Sequence, residues 1–188
     1  MTSSAANGQL AVFIEVGQGS AARRIAVRAR AGSAPGLFWL GGFNSDMQGT
    51  KALALDAWAA GQGRACVRFD YSGHGESGGA FVDGTIGRWL EESLAVFEQF
   101  CSGPQVVIGS SMGGWLALLL AREMAKKANV ERQALLKADT DKLLKLSTEL
   151  KDYVDKTNEN VLSVEVLKKA EEIEKLAKSV KEKMRGQN

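Results

Sequence analysis

Ser111 is the residue best placed to act as a nucleophile, because it is the centre of Gly109-Ser110-Ser111-Met112-Gly113, a G-x-S-x-G run. The stretch Gln105 to Ile108 before it reads as a strand and the apolar stretch after it as a helix, which puts the serine on a sharp strand-to-helix turn. Small neighbours permit the strained backbone that lifts the hydroxyl out, and the helix N-terminus favours negative charge developing there. The chemistry this suits is acyl transfer: the hydroxyl attacks an acyl carbonyl and a tetrahedral oxyanion forms. Backbone N–H groups then have to hold that oxyanion. The amide of Met112, the residue after the serine, is one donor. The segment Leu40 to Gly49, LGGFNSDMQG, follows another short apolar run and offers the second near Phe43.

A third segment, Asp70-Tyr71-Ser72-Gly73-His74-Gly75-Glu76-Ser77, holds the only histidine of the chain. With Gly78 its glycines satisfy G-x-G-x-x-G, but a dinucleotide site needs a helix to open within the loop, and the next helix starts only near Thr85. No nucleotide cofactor and no metal is expected. His74 precedes the nucleophile and sits in a turn, so its expected role is structural. Cys66 and Cys101 show no CxxC spacing and read as reduced core residues. Together with an N-terminus lacking a basic-then-apolar leader, they make a cytoplasmic location the expectation. The most apolar run, Trp115 to Ala121, is too short to span a bilayer. The 24 basic and 22 acidic residues are interspersed rather than segregated, which argues against a nucleic-acid partner.

These residues need a scaffold that alternates strands with helices. Leu10 to Val16 and Ile25 to Arg30 alternate apolar and polar positions across a Gly-rich link, as an antiparallel hairpin does. Gly36 to Leu40 reads as a buried strand, Thr50 to Ala60 as a helix stopped by Gly61, and Ala65 to Phe69 as the next strand. Thr85 can cap a helix through about Cys101 that buries Trp89, Leu94 and Phe97, with Gly103-Pro104 ending it before Gln105. The pattern predicts an α/β fold, a doubly wound sheet of about five strands with the first pair antiparallel. Val106, Val107 and Ile108 would then lie on an outer strand with an open edge.

The phrases GFNSDMQGTKA, ACVRFDYSGHGES and QVVIGSSMGGWLALLLA resemble the α/β-hydrolase superfamily, and within it the α/β-hydrolase domain-containing protein 10 group, over about Gly36 to Arg122. That resemblance implies the N-terminal half of the fold and hydrolysis of carboxylic esters or thioesters, with palmitoyl-protein thioesters and acyl glucuronides as family substrates. It implies Ser111 as nucleophile, with the amides of Met112 and Phe43 as oxyanion donors. It also requires an acid and then a histidine after the nucleophile. No histidine follows His74, and the acidic residues beyond Glu123 lie in helix-like, lysine-rich sequence.

The composition changes between Arg122 and Arg132. Twenty of the 21 glycines lie at or before Gly114, and from Lys126 onward the basic residues are nearly all lysine, with Tyr153 the sole aromatic. The expected organisation is therefore residues 1–125 as a hydrolase segment and 126–188 as an all-α helical hairpin or coiled-coil tail. Leu136, Leu143, Leu146, Leu150, Tyr153 and Val154 would form one stripe, and Val166, Ala170, Ile173, Ala177, Val180 and Met184 the other. Asn158 to Ser163 would make the turn, and Gly186 would end the second helix. Two functions follow: a serine esterase or thioesterase weakened by an incomplete triad, or a non-catalytic, truncated or chimeric fragment acting as a helical interaction module. The partners implied are a small acyl ester or thioester and, through the tail or the open sheet edge, the chain itself. Neither nucleic acid nor membrane is among them.

Overall fold

The computed structural model describes residues 10–156 and 164–185. Two compact units are present, residues 1–123 and 124–188. The first contains a five-stranded sheet built from β1 (Val12–Val16), β2 (Arg23–Arg30), β3 (Ser33–Leu40), β4 (Arg64–Phe69) and β5 (Gln105–Gly109), in the order β1-β2-β4-β3-β5. β3 pairs parallel with both β4 and β5, while β2 runs antiparallel to β1 and to β4. Antiparallel pairing therefore extends one ladder further than the first hairpin. Helix α1 (Thr50–Gly61) joins β3 to β4, and α2 (Ile86–Phe100) joins β4 to β5.

Successive strand residues point to opposite faces, and β3 shows what each face carries. Leu37 packs with Ala59, Leu55 and Ile108 on the α1 side, whereas Phe38 meets Phe97 of α2 edge-on at 5.2 Å. The sheet is thus covered from both sides, as two crossovers require. β5 is the outermost strand, and Val106 on it is 45% exposed, so the open edge expected from the sequence is present.

Thr85 caps α2 by accepting the Arg88 amide at 3.2 Å. Trp89 is buried as expected, but Leu94 and Phe97 are only half-buried, and Glu92, Ser93 and Val96 take the innermost positions. The reason is a charge that must be met inside. Glu92 is fully buried, accepts from Arg23 Nε at 2.7 Å through one carboxylate oxygen, and accepts the Ser72 amide at 2.9 Å through the other. A buried carboxylate is tolerable only when satisfied in this way.

Helix α3 (Met112–Lys156) begins at the candidate nucleophile turn, and its part from Met124 onward forms the second unit with α4 (Val164–Arg185). Within the unit they pair antiparallel: Lys183 binds Asp139 at 2.5 Å, Lys142 binds Glu172 at 2.6 Å, and Lys169 binds Glu149. On α3 the inward stripe contains Leu136, Leu143, Leu146 and Leu150, while Tyr153 and Val154 are exposed. On α4 it contains Val166, Lys169, Ile173, Leu176, Val180 and Lys183, so Ala170, Ala177 and Met184 lie one position outside the expected seam. Lys169 and Lys183 can occupy it because their stems cover apolar surface while the ammonium groups reach acids on α3. The turn at Asn158 to Ser163 and the cap at Gly186 lie outside the described residues.

Leu146, 8% exposed, is the one hydrophobic residue described in this unit that is buried. Leu146→Ala is expected to cost about 2–3 kcal/mol, read as earlier loss of the 222 nm circular-dichroism signal on heating. Val154→Ala, more than half exposed, should leave that transition in place.

Candidate active site

Ser111 occupies the turn between β5 and α3 with φ +53°, the left-handed region, and its side chain is exposed. A non-glycine residue pays about 1–3 kcal/mol for such backbone and keeps it only where the surroundings enforce it. Here they do so by close backbone approach. A Cβ on Gly113 would lie 2.1 Å from the Leu40 carbonyl oxygen, and one on Gly109 would lie 2.2 Å from that of Gly113. Both flanking glycines of the G-x-S-x-G run are therefore sterically required. The Ser110 amide also donates to the Leu40 carbonyl at 3.1 Å, tying the turn to the end of β3.

The segment after β3 lies directly against this turn. An added Cβ on Gly42 would be 3.2 Å from the Ser110 carbonyl oxygen and 3.6 Å from the Ser111 Cβ. Phe43 follows with its side chain 61% exposed, its ring edge-on to Phe81 at 5.0 Å. The adjacency follows from strand order, since β3 and β5 are parallel neighbours and their C-terminal ends emerge together. Ser111 and Met112 of the G-x-S-x-G run and Phe43 of the segment after β3 are thus brought to one end of the sheet.

Lys51, which no motif marks, joins them. It lies in the first turn of α1 and donates from Nζ to Ser110 Oγ at 3.1 Å. With Gly42, Ser45, Asp46, Thr50 and Ser110 it lines a cavity of about 250 Å³ beside the nucleophile turn.

His74 is buried among aromatic rings: Phe81 at 5.0 Å, Trp89 at 5.3 Å and Tyr71 at 5.7 Å. Its Nδ1 is 3.2 Å from the Ser72 carbonyl, which can only accept, so Nδ1 carries the proton. Nε2 then has a lone pair, and it accepts the Asn44 amide at 3.2 Å. Both ring nitrogens are committed, which agrees with the structural role expected for this turn. Gly73 and Gly75 serve the same turn at φ +75° and +48°, and a Cβ on Gly75 would strike Asp70 Oδ2 at 2.1 Å.

Asp70 opens the third sequence segment, where the sequence alone gives it no role. Its carboxylate accepts the Met47 amide at 2.6 Å and the Glu76 amide at 2.8 Å. Burial pushes its pKa up, and these two backbone bonds offset only part of the rise. Cys66 and Cys101 are free thiols, pushed by burial to about 11 and about 12 respectively, so neither is a nucleophile at neutral pH.

Comparison with known proteins agrees with this geometry. A model of the alpha/beta hydrolase family matches residues 22–154, wider at both ends than the quoted phrases. The human mitochondrial palmitoyl-protein thioesterase ABHD10 is 38% identical over 133 residues, covering 70% of this chain and 44% of that protein. Its Mus musculus counterpart is 39% identical over 94 residues, 50% of this chain and 32% of the relative. The chain thus spans less than half the length of these relatives. Among solved structures, an Agrobacterium vitis S4 protein shares 55% identity at TM-score 0.59, over 62% of this chain and 46% of that one. Mouse α/β hydrolase domain-containing protein 10 shares 36% at TM-score 0.55, over 59% and 43%. A strand-to-helix serine turn abutted by the loop after β3, on a sheet of this order and with these relatives, places the chain in the α/β hydrolase family.

Proposed function

We propose that the chain is built for carboxylic ester or thioester hydrolysis through an acyl-enzyme on Ser111, and that as a single chain it performs this slowly. The observation that carries the reading is Ser111 held at φ +53° with the Gly42-Phe43 segment packed against its turn. Ser111 Oγ would lose its proton and add to the acyl carbonyl, with the amides of Met112 and Phe43 holding the oxyanion. Collapse would expel the alcohol or thiolate, and water would release the acid from Ser111. The thioesterase relatives support the thioester class. The slowness follows from the base: His74, the only histidine of this sequence, has both nitrogens engaged, so no imidazole of this chain is placed to take the serine proton. What remains without a triad base is at most about 10³–10⁴ over water.

Residues 126–188 hold none of the proposed site residues, which supports a second reading of the chain as a non-catalytic hydrolase segment joined to a helical interaction module. Turnover of p-nitrophenyl acetate and of a long-chain acyl thioester separates the two. The first reading expects slow turnover that Ser111→Ala abolishes. Equal turnover in wild type and Ser111→Ala, or none in either, overturns it.

A further inference from the structure

We propose that His74 is a positioning residue that holds the oxyanion loop in register with Ser111; the inference rests on the reading of Ser111 and Phe43 just given. The Asn44 amide that Nε2 accepts belongs to the peptide plane next to the one bearing the Phe43 N–H. Fixing that plane restricts where the Phe43 donor points.

The loop needs such a tie. The side chains of Phe43, Asn44, Ser45 and Asp46 are all exposed, so apart from the Phe43 ring little packing anchors them. Asn44 is held at φ +54°, a conformation that relaxes unless its surroundings enforce it. Besides the loop's own turn, in which the Ser45 amide donates to the Gly42 carbonyl at 3.2 Å, four bonds join it to the segment of residues 70–77: Tyr71 Oη donates to the Gly41 carbonyl at 3.3 Å, Gln48 Nε2 donates to Glu76 Oε1 at 2.7 Å, and two more take backbone amides of the loop. Asp70 takes the Met47 amide at one end, and His74 takes the Asn44 amide beside the proposed oxyanion donor. His74 itself is rigid, since Nδ1 donates to the Ser72 carbonyl and the rings of Phe81 and Trp89 pack on it. The Phe43 ring meets those same two rings, at 5.0 and 6.3 Å. Backbone and side chain of the loop are therefore referenced to one aromatic cage. What the position requires is a ring that fills the cage and an acceptor aimed at Asn44, and histidine protonated on Nδ1 supplies both.

Two substitutions in the full chain separate these requirements. His74→Phe keeps the ring and removes the acceptor, while His74→Gln puts an amide oxygen near the place of Nε2. The probe is an alkyl fluorophosphonate, whose phosphoryl oxygen gains charge as Ser111 attacks, so its labelling rate reads the oxyanion donors. Labelling by His74→Phe should slow about 10- to 100-fold, with Asn44 amide exchange accelerated and the melting temperature within a few degrees of wild type. His74→Gln should recover most of the rate. Wild-type labelling and unchanged Asn44 exchange in His74→Phe would overturn the proposal. If wild-type Ser111 is not labelled at all, the nucleophile reading fails, and Asn44 exchange in His74→Phe still decides whether His74 holds the loop. Should His74→Phe fail to fold, nitrogen-15 spectra of the wild type decide: an unprotonated Nε2 coupled to the Asn44 amide is expected, and a proton on Nε2 overturns the proposal.

Discussion

Alanine in place of Asp56 is expected to destabilise the fold by about 3–5 kcal/mol, the usual cost of removing one partner from a buried ion pair. Asp56 is 7% exposed, on α1, and its carboxylate serves two arginines. Arg30 donates to it from Nε at 2.9 Å and from Nη2 at 2.8 Å, in a bidentate fork. Arg68, 3% exposed, donates from Nη2 at 3.2 Å, and its Nη1 donates to the Met47 carbonyl at 2.7 Å. Arg68 Nε already has no partner, so this guanidinium has little to fall back on. Without Asp56 two cations would be left facing each other beneath α1. For a chain of this length the loss amounts to roughly 10 °C in melting temperature, measurable by calorimetry or guanidinium titration. The sign of the pH dependence follows from the same carboxylate. Burial alone would raise its pKa, but the bonds and charges of Arg30 and Arg68 outweigh that and hold it below the ordinary value. A folded pKa below the unfolded one means the contribution is complete above about pH 4 and is lost as pH falls through the lower, folded value. Wild type should therefore converge on Asp56→Ala in stability on acidification below that point.

The second large effect is at Gly113. Alanine is the better helix former by about 1 kcal/mol, and Gly113 lies in the first turn of α3, so propensity alone predicts stabilisation. Sterics predict the reverse. The new methyl would meet the carbonyl oxygens of Leu40 and Gly41 at 2.1 and 2.5 Å, and both belong to backbone that cannot swing aside. Gly113→Ala should cost about 3 kcal/mol or more and reduce Ser111 labelling, because the loop that must move is the one bearing Phe43. Gly114→Ala is the control: its nearest outside atom would be 3.8 Å away, so it should be neutral or gain up to about 1 kcal/mol. Equal melting of the two variants would contradict the proposed close approach.

The elements legible in the sequence were those marked by local chemistry. The serine turn, the Thr85 cap and the outer position of β5 follow from glycine placement, capping and strand count, and all are present. What escaped were residues whose burial depends on a distant partner. Glu92, Asp56 and Arg68 carry no local signal of burial, and only the tertiary pairings of Arg23 with Glu92, and of Asp56 with Arg30 and Arg68, bring them inside. The α4 seam was displaced for the same reason. Ala170 and Ala177 fit an apolar period, while Lys169 and Lys183 occupy the seam because Glu149 and Asp139 face them across it. Lys51 lies within the phrase GFNSDMQGTKA, but nothing in it marks a role, since its contact with Ser110 comes from the start of α1 lying beside the end of β5.

The most direct test of Ser111 as a nucleophile without a base of its own is the pH dependence of its fluorophosphonate labelling, with the modified peptide mapped by mass spectrometry. The expected result is a single adduct on Ser111, absent in Ser111→Ala, whose rate rises about tenfold per pH unit between pH 6 and 9 without levelling, because the proton goes to hydroxide. A rate that levels off above a midpoint near the ordinary histidine value of about 6.5 would show that an imidazole serves Ser111, and would contradict both the missing base and the structural commitment of His74.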